Sequence, residues 1–243
     1  RGERDRKKYG FENGRNLEMA TIAIDVTKAT ATTTTWAAGD YALITINGKT
    51  LKELGASDST TSTITVPSYG TFTLTKEKEV TFTADAALAA GTYAFTATDT
   101  AVPQVTAADM SAMTGAFTLG AAPVENKKLL KLTTGSGADV VDATKYTALT
   151  DIVTNAGQDT VTFTADDTAV TLVSTGADAD TINGTILVGN AKTFSLNAGD
   201  GDDTVSLAGS AAMTLDKAVV LGAGNDAVTV GANLTSTVYG NAG

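Results

Sequence analysis

The stretch "SLNAGDGDDTVSL" (residues 195–207) places three aspartates and two glycines in five consecutive positions, directly before a strand-like sequence. Alone, such a run of like charges predicts a solvated loop, because aspartate is seldom buried without a partner. The pattern recurs along the C-terminal part of the chain, however, and the copies align on an aspartate that is followed two residues later by valine or isoleucine. The aligned segments are "GSGADVV" (135–141), "NAGQDTV" (155–161), "GADADTI" (176–182), "GDGDDTV" (199–205) and "GAGNDAV" (222–228).

The spacing of these segments indicates the fold. Successive aligned aspartates are 20, 21, 23 and 23 residues apart. A period in this range predicts a solenoid in which each repeat forms one coil. The valine, isoleucine and leucine positions supply short strands that stack in parallel and bury one face of every coil. We therefore expect a parallel β-roll or β-solenoid over residues 133–243. The aligned aspartates are Asp139, Asp159, Asp180, Asp203 and Asp226.

The stacking of like charges needs a chemical explanation. Equivalent turns of neighbouring coils lie about 4.8 Å apart, and two carboxylates at that distance repel each other by about 1 kcal/mol in water. A cation between successive turns converts this repulsion into attraction. Calcium takes about six to eight oxygen ligands from flexible loops, and glycine exposes carbonyl oxygens beside the carboxylates. The residues leave a second interpretation open, a metal-free solenoid in which the aspartates only shape the turns.

Two of the turns, "GAGNDAVTV" (222–230) and "GDGDDTVSL" (199–207), resemble the calcium-binding nonapeptide repeat of RTX proteins, Gly-Gly-x-Gly-x-Asp followed by an apolar strand position. "GSGADVVDA" (135–143) is a fair match, and the turns that begin at 155 and 176 are degenerate. RTX proteins stack the motif in tandem, whereas here it occurs once per coil, so a single calcium column is expected. The resemblance covers roughly residues 133–243.

The resemblance implies calcium as the bound ion and the glycine–aspartate turns as its site. It also implies export by the one-step route of RTX proteins, which uses a C-terminal signal and no N-terminal signal peptide. Surface-layer proteins, adhesins, proteases and toxins belong to this group. The residues expected to bind calcium are Gly135, Gly137, Asp139, Asn155, Gly157, Asp159, Gly176, Asp178, Asp180, Gly199, Gly201, Asp203, Gly222, Gly224 and Asp226.

The chain before the repeats has a different composition. From residue 19 to 123 it is rich in threonine, alanine and valine, and stretches such as "YALITI" (41–46) and "TFTLT" (71–75) alternate apolar and polar residues. Alternation with period two predicts strands with one buried face, and Asn47-Gly48 is the preferred two-residue hairpin turn. We therefore expect an antiparallel β-sandwich over residues 19–123 and, with the solenoid, an all-β fold.

Two shorter segments complete the predicted domain organisation. Residues 1–18 contain all four arginines of the chain and form a basic N-terminal extension. Residues 124–132, "VENKKLLKL", form a charged linker between the sandwich (19–123) and the calcium-binding solenoid (133–243).

The composition excludes several kinds of catalytic chemistry and makes some partners unfavourable. The chain has no cysteine and no histidine, which excludes disulfides, thiol chemistry and histidine-dependent triads within it. The net charge is −10, and residues 133–243 carry thirteen aspartates against three lysines. Nucleic acid is therefore not expected as a partner, because binding it requires a basic face. No apolar run approaches the ~20 residues of a membrane span.

We expect an extracellular structural protein rather than an enzyme, located outside the cell or on its surface. It would self-assemble through calcium-stabilised solenoid coils into a surface layer, filament or adhesive fibre. The expected partners are other copies of the chain and, second, a cell-surface polysaccharide. Two alternatives stay open, a polysaccharide-acting β-helix module and a phage or host-recognition fibre. The enzymatic alternative needs acid and base groups along a cleft, yet the three lysines of the repeat region do not recur in register.

Overall fold

The computed structural model describes residues 22–31, 34–76, 78–96, 103–120, 128–165, 170–187 and 193–240. Within these ranges the chain forms β-strands and one 3₁₀ helix at Asp40–Ala42, so the predicted all-β class is confirmed. The strands before residue 124 are β1 (Ile22–Asp25), β2 (Thr45–Ile46), β3 (Lys49–Thr50), β4 (Thr63–Val66), β5 (Gly70–Lys76), β6 (Glu79–Ala84), β7 (Gly91–Phe95), β8 (Gln104–Asp109) and β9 (Phe117–Leu119). The later strands are β10 (Lys131–Thr133), β11 (Val140–Asp142), β12 (Asp151–Val153), β13 (Thr160–Ala165), β14 (Leu172–Ala177), β15 (Thr181–Ile186), β16 (Ser195–Asp200), β17 (Thr204–Gly209), β18 (Met213–Thr214), β19 (Val219–Gly222), β20 (Ala227–Val230), β21 (Leu234–Thr235) and β22 (Val238–Gly240).

Two ten-stranded sheets enclose one apolar core. Sheet A has the strand order β20–β17–β15–β13–β11–β9–β7–β1–β2–β3, and sheet B has the order β22–β19–β16–β14–β12–β10–β8–β6–β5–β4. Strands β18 and β21 form a separate short pair. The chain adds a strand to one sheet and then to the other, so each coil contributes to both.

The repeats stack in register, which places equivalent residues in columns. Val141 pairs with Val161, Val161 with Ile182, and Ile182 with Val205, all in parallel. These four side chains are fully buried, as expected for strands whose apolar positions all face the same core. The parallel β-solenoid predicted over the repeat region is confirmed.

Large and small residues alternate between neighbouring coils at one position of the core. Phe163 pairs with Gly184 on the next strand of sheet A, and its ring occupies the space that a side chain on residue 184 would fill. The ring of Phe194, the residue directly before β16 of the opposite sheet, packs against the ring of Phe163, with ring centroids 5.4 Å apart. A large residue beside a glycine keeps the interior filled without strain.

The predicted N-terminal sandwich is confirmed only in part. Antiparallel pairing joins β1–β2–β3 in sheet A and β4–β5–β6 in sheet B. The hairpin at Asn47-Gly48 forms as predicted, with φ angles of +50° and +76°. However, β6 pairs with β8 and β7 with β9 in parallel, so solenoid stacking begins before residue 124. Alternation indicates one buried face, and it does not distinguish parallel from antiparallel neighbours.

Both sheets continue across the predicted linker. Residues 121–127 lie outside the described part of the chain, but β10 pairs in parallel with β8 on one side and β12 on the other. The domain boundaries stay a prediction, and the extension 1–18 also lies outside the described residues. Among the residues described, no helix is long and apolar enough to cross a membrane.

Glycines allow the closest approach between coils. A side chain on Gly199 would overlap the carbonyl oxygen of Gly176 in the preceding coil, and one on Gly222 would overlap that of Gly199. Gly199 also has a φ of +109°, which residues with a Cβ atom rarely adopt. The glycine pattern of the turns therefore has a steric cause that holds with or without a bound metal.

We expect Gly199→Ala to destabilise the solenoid by roughly 2–6 kcal/mol, because it combines a backbone overlap with backbone strain. The matched control is Gly231→Ala, whose new methyl group would come no closer than 3.4 Å to a neighbouring atom. Urea unfolding followed by circular dichroism measures both variants. Equal midpoints for the two would contradict the close coil contact described at Gly199.

Candidate functional site: the buried aspartate column

The structure brings the aligned aspartates together in one column. Each stands directly before a strand of sheet A, from β11 to β20, one coil from the next. The first four are at most 1 % exposed, and Asp226 in the last described coil is half-buried. The column therefore lies inside the solenoid, against the usual rule that aspartate stays at the surface. The residues of this aspartate column are Asp139, Asp159, Asp180, Asp203 and Asp226.

One oxygen of each carboxyl group connects two coils. Oδ1 accepts a hydrogen bond from the backbone N–H of the equivalent residue in the preceding coil. These bonds satisfy N–H groups at the turn, where unpaired buried donors would be unfavourable. The bonds are Phe117 N to Asp139 (2.7 Å), Asp139 N to Asp159 (2.8 Å), Asp159 N to Asp180 (2.8 Å), Asp180 N to Asp203 (2.9 Å) and Asp203 N to Asp226 (3.0 Å).

The second carboxyl oxygen, Oδ2, makes no such hydrogen bond in the buried members of the column. Among the described residues, Oδ2 is buried without a hydrogen-bond partner in the first four members of the column. An unpaired buried polar atom is rare and carries a free-energy penalty of about 1–3 kcal/mol. This orphan oxygen recurs in every coil that is covered by another, so it is a property of the repeat.

A second buried column runs beside the first. Thr134, Thr154 and Thr175 lie five residues before Asp139, Asp159 and Asp180 and are fully buried. Their hydroxyl groups donate to backbone carbonyls of the following coil, at 3.2, 3.2 and 2.7 Å. In the fourth coil the equivalent position is Ala198. This threonine column was missed from the sequence, although the five-residue spacing in three of the five repeats was available as a signal.

Burial dominates the electrostatics of the aspartates. Removal from water raises the pKa of Asp159 to about 7 and that of Asp180 to about 6, and it raises the pKa of Asp139 and Asp203 as well. Backbone N–H groups and the nearby threonines lower these pKa values by less than burial raises them. Neighbouring aspartates raise the pKa further at Asp159, Asp180 and Asp203. Burial therefore favours the uncharged acid in the first four members of the column, and it brings the pKa values of Asp159 and Asp180 up to about 7 and about 6.

Several turn carbonyls expected to face a metal are used between coils. The carbonyl of Asn155 accepts from Ala177 N at 2.8 Å, and that of Gly199 accepts from Ala223 N at 3.0 Å. Asp178, with a φ of +80°, accepts a hydrogen bond on Oδ2 from Gly157 N at 3.2 Å. The turns are thus linked by their own hydrogen bonds.

The buried column does not by itself fit a calcium ion. Calcium takes about six to eight oxygens around one point, whereas each of Asp139, Asp159, Asp180 and Asp203 offers one buried carboxyl oxygen without a hydrogen bond. Oδ1 and the turn carbonyls of Asn155 and Gly199 already accept hydrogen bonds. In the described ranges, no three acidic side chains are grouped so that they could hold a metal. Calcium binding stays a prediction from the turn motifs, and the described contacts give another account of the column.

Comparisons with known proteins add no further assignment. No protein-family model, no curated protein and no solved structure matches the chain. The resemblance to RTX repeats therefore rests on the turn motifs alone.

The raised pKa values make stability depend on pH. The unfolded chain holds these carboxyl groups near their ordinary pKa of 3.8, below the values of about 7 and 6 in the folded chain for Asp159 and Asp180. The folded state therefore binds more protons than the unfolded state between these limits. The stabilisation is complete below about pH 4 and is lost as the pH rises through about 6 to 7.

In calcium-free buffer we expect the urea midpoint of the whole chain to fall between about pH 5 and about pH 8. Asp180→Asn should reduce the accompanying loss of unfolding free energy by about 1.4 kcal/mol, because one pH unit separates pH 5 from the folded-state pKa of about 6 of this acid. The control is Asp216→Asn, at an exposed position outside the column, which should keep the wild-type slope. A midpoint that rises over this pH range in the wild type would contradict the prediction.

Proposed function

We propose that the chain is an extracellular structural protein whose solenoid grows by the stacking of further coils, as in a surface layer, filament or adhesive fibre. The observation that supports this proposal is a core that is exposed at one end of the stack. Val141, Val161, Ile182 and Val205 are at most 1 % exposed, whereas Val228, the next residue in the same column, is 37 % exposed. Each of the buried members is covered by a following coil.

Both sheets present an open edge at this end. Strands β20 and β22 are the outermost members of sheets A and B, so no other described strand pairs with their outer sides. Tyr239 on β22 is 57 % exposed. Unpaired edges beside exposed apolar side chains favour the addition of strands. A coil added here, from further chain or from another copy, would bury Val228 and extend both sheets.

The other end of the stack has a different surface. There β3 and β4 are the outermost strands, and both belong to antiparallel hairpins. A contact between the two unlike ends would be heterologous, and heterologous contacts generate filaments or open sheets unless a rotation closes them. The proposal thus favours open assemblies of copies of the chain over a closed dimer.

The proposed location is the cell surface. The supporting points are the resemblance of the turns to RTX repeats and the net charge of −10. A cell-surface polysaccharide is the second partner included in the proposal.

Assembly of the 243-residue chain should depend on the exposed core residue. We expect light scattering after size-exclusion chromatography to show a mass that rises with protein concentration. Val228→Lys should abolish this rise, because stacking would bury an unpaired charge. It should leave the monomer folded, since residue 228 is partly exposed already.

The matched control is Thr204→Lys, an exposed position on the outer face of β17, which should assemble like the wild type. Each protein is measured in calcium chloride and in EDTA, which tests whether assembly also requires calcium. A wild-type chain that stays monomeric at every concentration and in both buffers would refute assembly by coil stacking.

A further inference from the structure

We propose that the buried aspartates Asp139, Asp159, Asp180 and Asp203 connect the coils as uncharged hydrogen-bonding groups and need no metal ion to do so. The proposal concerns the mechanism by which the solenoid is held together, and it is independent of whether the coils assemble into fibres. It differs from the calcium column that the turn motifs imply.

The surroundings of the column favour an uncharged group. In the described part of the chain, the charged groups that act on these carboxyls are all aspartates: Asp139, Asp178, Asp180, Asp200, Asp202, Asp203 and Asp226. No lysine or arginine is among them, so an ionised carboxylate here would be buried beside further negative charge. Such a charge is strongly unfavourable in the interior of a protein.

Protonation also resolves the orphan oxygen. An ionised Oδ2 can only accept a hydrogen bond, and the nearby hydroxyl of Thr154 donates its hydrogen to the carbonyl of Thr175 instead. A protonated Oδ2 becomes a donor, and the hydroxyl oxygen of Thr154, which lies near the Asp159 carboxyl, has lone pairs that can accept a hydrogen bond. The proton order is then Oδ2–H to Oγ, and Oγ–H to the carbonyl of the next coil.

The same relation holds in three successive coils. Thr134 lies near the carboxyl of Asp139, and Thr175 lies near that of Asp180. The hydroxyl group of each threonine donates its hydrogen to a backbone carbonyl of the following coil. Each carboxyl thus connects to the preceding coil through Oδ1 and, through its threonine, to the following coil. The fourth coil has Ala198 at the threonine position, so there the acid has no hydroxyl acceptor.

Asparagine is the substitution that separates this proposal from a calcium column. It has nearly the shape of an uncharged aspartic acid, its oxygen can keep the bond from the backbone N–H, and its amide can donate to the threonine hydroxyl. It carries no charge for calcium to bind. Asp159→Asn should therefore leave a hydrogen-bonded column intact and should weaken a calcium-bound one.

The test is urea unfolding of the full chain at pH 5.5, below the folded-state pKa values of Asp159 and Asp180, and again at pH 8, each in EDTA and in millimolar calcium chloride. We expect the wild-type midpoint to be the same in both buffers, and the Asp159→Asn midpoint to equal or exceed it. Asp159→Ala removes the oxygen that accepts from Asp139 N, and its midpoint should fall by about 1 M or more. Circular dichroism before denaturation checks that each variant is folded.

A coupled variant tests the role of the threonine. Thr154→Ala removes the acceptor, so it should cost less stability in the Asp159→Ala background, where no donor remains, than in the Asp159→Asn background, where the amide still donates. The proposal is overturned if EDTA lowers the wild-type midpoint and Asp159→Asn eliminates this calcium effect. It is also overturned if Asp159→Asn loses as much stability as Asp159→Ala.

Discussion

Neighbouring coils of this protein must match in backbone register, because paired strands lie only about 4.8 Å apart. Within the strands the backbone provides the hydrogen bonds that maintain this match. At the turn after each coil the ladder is interrupted, and there the Oδ1 atoms of the aspartate column accept the N–H groups of the preceding coil. These side-chain hydrogen bonds keep neighbouring coils aligned at the turn between a strand of sheet B and the next strand of sheet A.

The glycines and the aspartates of the motif perform complementary tasks. At Gly199 the backbone passes so close to the carbonyl of Gly176 that no Cβ atom fits, and the chain takes a positive φ. This close approach brings the turn of one coil onto the next and encloses the carboxyl of Asp203. Burial in turn raises the pKa of the acid, so the steric feature of the turn determines the chemistry of the column.

More of the fold than of the candidate site could be predicted from the amino-acid sequence. The 20- to 23-residue spacing of the aligned aspartates is a property of the coil length, so it indicated the solenoid directly. The pairing direction of the N-terminal strands does not follow from their sequence, since "TFTLT" (71–75) has the same alternation whether its neighbours are parallel or antiparallel. The direction of the aspartate side chains could not be inferred, because charge alone favours the surface. The role of Thr154 depends on tertiary contacts that no spacing rule contains.

The aspartate column and the exposed end of the stack are physically connected. Asp226 is the last described member of the column and is half-buried, whereas the members covered by another coil are at most 1 % exposed. A coil stacked on β20 would therefore remove the carboxyl of Asp226 from water at the same time as it buries Val228. The apolar side chain favours this step and an ionised carboxylate opposes it. Extension of the solenoid is therefore coupled to the burial of the Asp226 carboxyl group, which the added coil would remove from water.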